Sequence, residues 1–94
     1  MVHDRMLLRM REAIRTRNYI MTLHAEEEMD DDDLSIFDIE RIILTGTIIE
    51  QQKDQVTEEW KYLIEGDSLS KELAVVVAKM SITGKLVIIT VYKV

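Results

Sequence analysis

The 94-residue chain contains no cysteine and no proline, and only three glycines, one tryptophan, three tyrosines and one phenylalanine. Without cysteine there is no disulfide, no thiolate metal site and no cysteine nucleophile. That composition suits a reducing compartment, and the cytoplasm is the expected location. Without proline one helix-break signal is missing, so glycines and capping residues must mark where elements end. No apolar run reaches the roughly 18 residues of a membrane span. The opening MVHDRMLLRMREAIR has neither the apolar stretch nor the small-residue cleavage site of a signal peptide. Phosphate-cradling glycine loops, GxSxG elbows and Walker patterns are absent too, which excludes the hydrolases built on them.

What is present suffices for one domain, residues 1–94. Hydrophobic residues make up 47% of the chain, enough to fill a single core, and a domain of this size buries roughly 65% of the surface its unfolded chain exposes. The net charge of −6 is unevenly spread. Residues 1–18 carry five arginines (Arg5, Arg9, Arg11, Arg15, Arg17) against Asp4 and Glu12. Residues 19–94 carry seven basic and sixteen acidic side chains. An acidic body repels nucleic-acid backbones, so RNA is a possible partner only through the basic first segment.

Periodicity predicts three helices followed by strands. Leu7, Met10, Ala13 and Ile14 form one apolar stripe of a helix over 4–17, with Asn18 as its stop. YIMTL, residues 19–23, is a short extended or connecting piece. Thr22 caps a second helix over 23–31. Ser35 caps a third over 35–45, with Asp38 completing a capping box and Leu34 and Ile39 a hydrophobic staple; Gly46 ends it. After Gly46 the period becomes strand-like, giving strands at 47–52, 59–65, 73–80 and 85–94 joined by short turns, hence antiparallel. The fold class is α+β: three helices on a curled four-stranded antiparallel sheet. The last two strands are apolar on both faces. One face of the last is assigned Val87, Ile89 and Val91, the other Leu86, Ile88, Thr90 and Tyr92. The face away from the helices must line a cleft, curl on itself or meet another subunit.

The stretch TLHAEEEMDDDDL, residues 22–34, holds the strongest chemical signal. His24 and Glu28 are one helical turn apart and share a face. HExxH is absent, and an EF-hand loop started at Asp30 has Ser35 where glycine belongs and Arg41 where glutamate belongs, so no metal and no cofactor is expected. A histidine can move a proton near neutral pH, or it can simply sit at a helix start. Tyr92 and Lys79, on the final strands, are candidates to converge on it.

MTLHAEEEM, LSIFDIERIILTGTIIEQQ, WKYLI and VVVAKMSITGKLVIITVY together resemble the bacterial domain-of-unknown-function family 4258 over about residues 19–93. The resemblance implies a fold grouped with the RelE-type and barnase-like ribonuclease toxins. The family's recurring histidine falls on His24. Many members carry an arginine four residues later, where this chain has Glu28, an acid in place of a phosphate-binding base.

Two functions are therefore carried forward. One is a metal-independent ribonuclease or toxin-like protein, with His24 as base or acid, Glu28 beside it, Tyr92 a phosphate or proton contact, and Lys79 or an N-terminal arginine as the cation. The other is a non-catalytic interaction module that docks a protein partner or forms a homodimer through its apolar strands.

Overall fold

The computed structural model describes residues 3–94; the first two residues of the basic 1–18 segment lie outside it. The chain forms α1 (Asp4–Arg15), β1 (Tyr19–Met21), α2 (Leu23–Asp31), α3 (Ile36–Thr45), β2 (Thr47–Lys53), β3 (Trp60–Asp67), β4 (Leu73–Met80) and β5 (Leu86–Lys93). Three helices and the four later strands stand where the periodicity predicts. The sheet, however, has five strands in the order β1-β5-β4-β3-β2. The added strand is β1, which pairs parallel with β5 through Tyr19–Leu86, Ile20–Val87 and Met21–Ile88, so the sheet is mixed. The conformation of β1 fits the short extended piece read at YIMTL, whereas its pairing carries no local sequence signal, because the partner strand lies far along the chain.

Helix α1 buries the predicted stripe of Leu7, Met10, Ala13 and Ile14. It stops two residues early. Thr16 is its C-cap and Arg17 takes the left-handed conformation at φ 58°. The Arg17 amide donates to the Ile14 carbonyl at 3.1 Å and the Asn18 amide to Ala13 at 2.8 Å, the paired bonds of a Schellman turn. Asn18 is the last residue of that turn, and its carbonyl accepts from the Leu86 amide at 3.0 Å, which continues the β1–β5 pairing. Helix α2 ends the same way: Asp33 has φ 58°, and the Leu34 amide donates to Met29 at 2.8 Å. The turn brings buried Leu34 back beside buried Met29, so the aspartate run is a helix ending with an apolar clasp.

The Ser35 hydroxyl accepts from the Asp38 amide at 3.3 Å, and the Asp38 carboxylate accepts from the Ser35 amide at 2.7 Å, completing the predicted capping box. Leu34 and Ile39 both lie in the main core. Gly46 closes α3 with an extended backbone, φ −84°. A side chain is excluded there for a different reason: a Cβ would overlap the carbonyl oxygens of Glu65 and Ile42. Gly46 thus lets the end of α3 lie against β3.

The helices cover one sheet face. Tyr62, Ile64, Ala74, Val76, Ala78, Leu86, Ile88 and Val91 meet Met10, Ile14, Ala25, Ile39, Ile42 and Ile43 in the main core. The opposite face carries a second, smaller cluster of Leu63, Val75 and Val77 with Ile89 against it. A β-bulge reassigns the faces of β5. Val77 pairs with Thr90 and Ala78 with Ile88, leaving Ile89 as the extra residue. Strict alternation would place Val91 with Val87 and Ile89; past the bulge it joins Leu86 and Ile88 in the core, and Tyr92 turns outward.

Candidate functional site

Helix α2 begins where Thr22 accepts from the Ala25 amide at 3.1 Å and donates to the Ile89 carbonyl at 2.7 Å, which ties the helix start to β5. Ala25 and Met29 face the core, so His24 and Glu28 share the neighbouring, wetter side. His24 Nε2 stands 4.0 Å from Glu28 Oε1, beyond a hydrogen bond, with the two side chains 63% and 34% exposed. An exposed pair at that distance holds the imidazole weakly. Most acids after it face solvent. Asp32 is the exception, its carboxylate accepting from the Lys93 amide at 3.0 Å and joining the helix end to β5.

Tyr92 and Lys79 lie on the sheet face away from the core. Tyr92 pairs with Val75 and Lys79 with Val87, which separates them by about 13 Å along the strands. Lys79 Nζ donates to Glu59 at 3.2 Å. No hydrogen bond or ion pair joins either residue to His24 among the described residues. Of the four predicted site residues, only His24 and Glu28 come together. Among the described residues no group of three or more histidine, aspartate or glutamate side chains is placed to hold a metal.

The concave surface lies elsewhere. Met6, Arg9 and Ala13 of α1, with Thr16 at its C-cap, follow one another at three- and four-residue spacing on the flank of the buried stripe. They form one wall of a groove over the lower end of the sheet. Its wider part, about 280 Å³, is lined opposite α1 by Glu58, Trp60, Tyr62, Met80 and Ile82, among others. It continues past Arg9 into a part of about 240 Å³ reaching Asn18 and Gly84. Asp54 builds the loop that carries the far wall, its carboxylate accepting from the amides of Val56 at 2.8 Å and Thr57 at 3.0 Å. Those two bonds hold its carboxyl below the usual aspartate range.

Arg9 lines both parts and makes no hydrogen bond or ion pair with any described residue. Of the acids that line the groove, Glu59 pairs with Lys79 at 3.2 Å and Glu12 with Arg15 at 3.8 Å, while the Glu58 carboxylate has no such partner among the described residues. Trp60, the chain's one tryptophan, is about half exposed at the groove's edge with Lys53 Nζ 5.8 Å from its ring centre. Tyr62, buried beside it, meets the His3 ring edge-on at 6.0 Å. Sequence reasoning passed this groove over, because its residues belong to three distant segments. The available signal was the second stripe, Met6–Arg9–Ala13, flanking the one that was read.

No curated protein and no solved structure matches the chain. A family model does match residues 21–93, described as Domain of unknown function (DUF4258). The match starts at the end of β1 and includes every later element, leaving α1 outside it. The chain belongs to that family, and α1 lies outside the matched residues.

Proposed function

We propose that this chain is a non-catalytic interaction module of the cytoplasm. The observation that carries this reading is the isolation of His24. A catalytic histidine works in a concave site with an acid, a base and a charge stabiliser converging on the reacting atoms. His24 projects into solvent with one loosely held carboxylate, it lines neither part of the groove, and Tyr92 and Lys79 belong to another surface. Leu63, Val75 and Val77 of the outer sheet face are already covered within one chain, so the reading does not rest on a second copy.

The second reading is a metal-independent, RelE-like ribonuclease toxin using His24 and Glu28, favoured by the pairing of those two side chains on α2. One experiment separates the two. Labelled single-stranded RNA incubated with wild type and with His24→Ala should remain intact in both. Cleavage by wild type that disappears in His24→Ala overturns the module in favour of the nuclease.

A further inference from the structure

We infer that the groove between α1 and the sheet end formed by Trp60, Tyr62, Met80 and the β4–β5 turn is the docking site of an extended peptide bearing one carboxylate between apolar side chains. The inference rests on the module reading above and names its partner by chemistry.

Three observations fix that chemistry. The first is the floor and edge. Met6, Ala13, Tyr62 and Met80 are apolar and line the trough, while Ile82 is fully exposed at one end and Trp60 half exposed beside it. Apolar groups left in water beside a concavity lose that exposure when a partner's side chains lie on them. The second is charge. Arg9 stands at the middle, between the two parts, with no partner among the described residues. A guanidinium with its donors open fits a carboxylate in a two-pronged contact. The third is length. From Met6 to Thr16 the helix wall rises about 15 Å, which matches four to five residues of extended chain.

A single-stranded nucleic acid would also offer an anion to Arg9 and a base to Trp60. It fits less well. Glu58, Glu59 and Glu12 line the groove around Arg9, and successive phosphates would meet them. The chain's −6 charge opposes a polyanion further. One carboxylate needs one cation, and Glu59 and Glu12 keep Lys79 and Arg15 as their own partners.

The wall that carries Arg9 comes from α1, outside the residues that match the family model. The opposite wall, from Glu58 to Gly84, lies inside those residues.

Trp60, as the only tryptophan, reports occupancy without a label. The probes are the capped pentapeptides Leu-Ala-Glu-Ala-Leu and Leu-Ala-Lys-Ala-Leu, and hexauridylate, each titrated into the intact protein. The glutamate peptide should change Trp60 emission saturably, and the other two should not. Arg9→Glu should weaken the glutamate peptide at least tenfold and favour the lysine peptide instead. Arg41→Glu, on the exposed side of α3, should bind as wild type does. Arg9 is exposed, so its variants should melt with wild type, and that melt separates lost binding from lost folding. No saturable change with the glutamate peptide, equal binding by Arg9→Glu, or tighter binding of hexauridylate would overturn the inference. RNA left uncut alongside any of these results strikes the groove and spares the module; RNA cleavage dependent on His24 strikes the module itself.

Discussion

At Asp38 a single carboxylate accepts from the Ser35 amide at 2.7 Å, the Ser35 hydroxyl at 3.0 Å and the Leu69 amide at 2.8 Å. Burial alone would push its carboxyl up. The bonds from Ser35 and Leu69, with Lys93 nearby, outweigh that and hold it below the usual range. A depressed carboxyl contributes stability that is present above the unfolded value of about 3.9 and is lost as pH falls through the folded one. Asp38→Ala should therefore cost about 1–2 kcal/mol at neutral pH by removing three part-buried, charge-assisted hydrogen bonds. The gap to wild type should narrow below about pH 4, as measured by denaturant melts across pH. Tyr19 behaves in the opposite sense. Burial, then its 2.6 Å hydrogen bond to Glu40 and that residue's charge, push the phenol up to about 12. Its contribution is complete below about pH 10 and is lost as pH rises toward 12. Melts of wild type should fall over that alkaline window, and Tyr19→Phe should remove that part of the fall. The Ser35–Asp38 box was legible because its partners are three residues apart. The Leu69 amide was not, because it comes from a turn 31 residues away.

Helices α1 and α3 show what an element owes to its neighbour. The last turn of α3 contains no basic residue to meet its exposed carbonyls. Arg11 of α1 supplies the charge, donating from Nε to Ile43 at 3.0 Å and from its terminal nitrogen to Gly46 at 2.9 Å. Arg11→Ala should thus cost about 1.5–3 kcal/mol, the range for charged hydrogen bonds, and lower the melting temperature by several degrees. Arg15→Ala, on the exposed side of the same helix, should change it little. At the same helix end, Gly46→Ala should cost about 1–3 kcal/mol by forcing α3 away from β3. A melt equal to wild type would show that the contact relaxes freely. The apolar stripe of α1 was readable from spacing alone. That one of its four arginines caps another helix was not, since charge in a sequence does not reveal which carbonyls fold up to meet it. The faces of β5 were misassigned for a similar reason: alternation is readable, whereas the bulge that breaks it at Ile89 depends on the register with β4.

Across the whole molecule, the elements joined by short connections were legible and those joined across the chain were not. Strands β2 to β5 run as an antiparallel meander, each beside its successor. The predicted site failed to assemble at this scale, because His24 sits on a helix while Tyr92 and Lys79 point from the far side of the sheet. Strand β1 is the one strand whose partner is not its neighbour in the chain. It is three residues long, lies at the sheet edge, and is held by bonds such as Thr22 amide to Ile88 and Leu86 amide to Asn18, each 3.0 Å. The meander can stay paired without it, and α2 keeps its own ties to β5 through Thr22 and Asp32. The segment from α1 through β1 is then the first cooperative unit to open under native conditions. Hydrogen exchange should find the Thr22 and Leu86 amides released at a lower opening free energy than those of Ile64 and Val76 in the central strands. Equal protection would mean that the sheet opens only as a whole. Because Arg9 and Arg11 travel with that segment, each opening would dissolve the groove and uncap α3 together, so a bound peptide should slow exchange at both places at once.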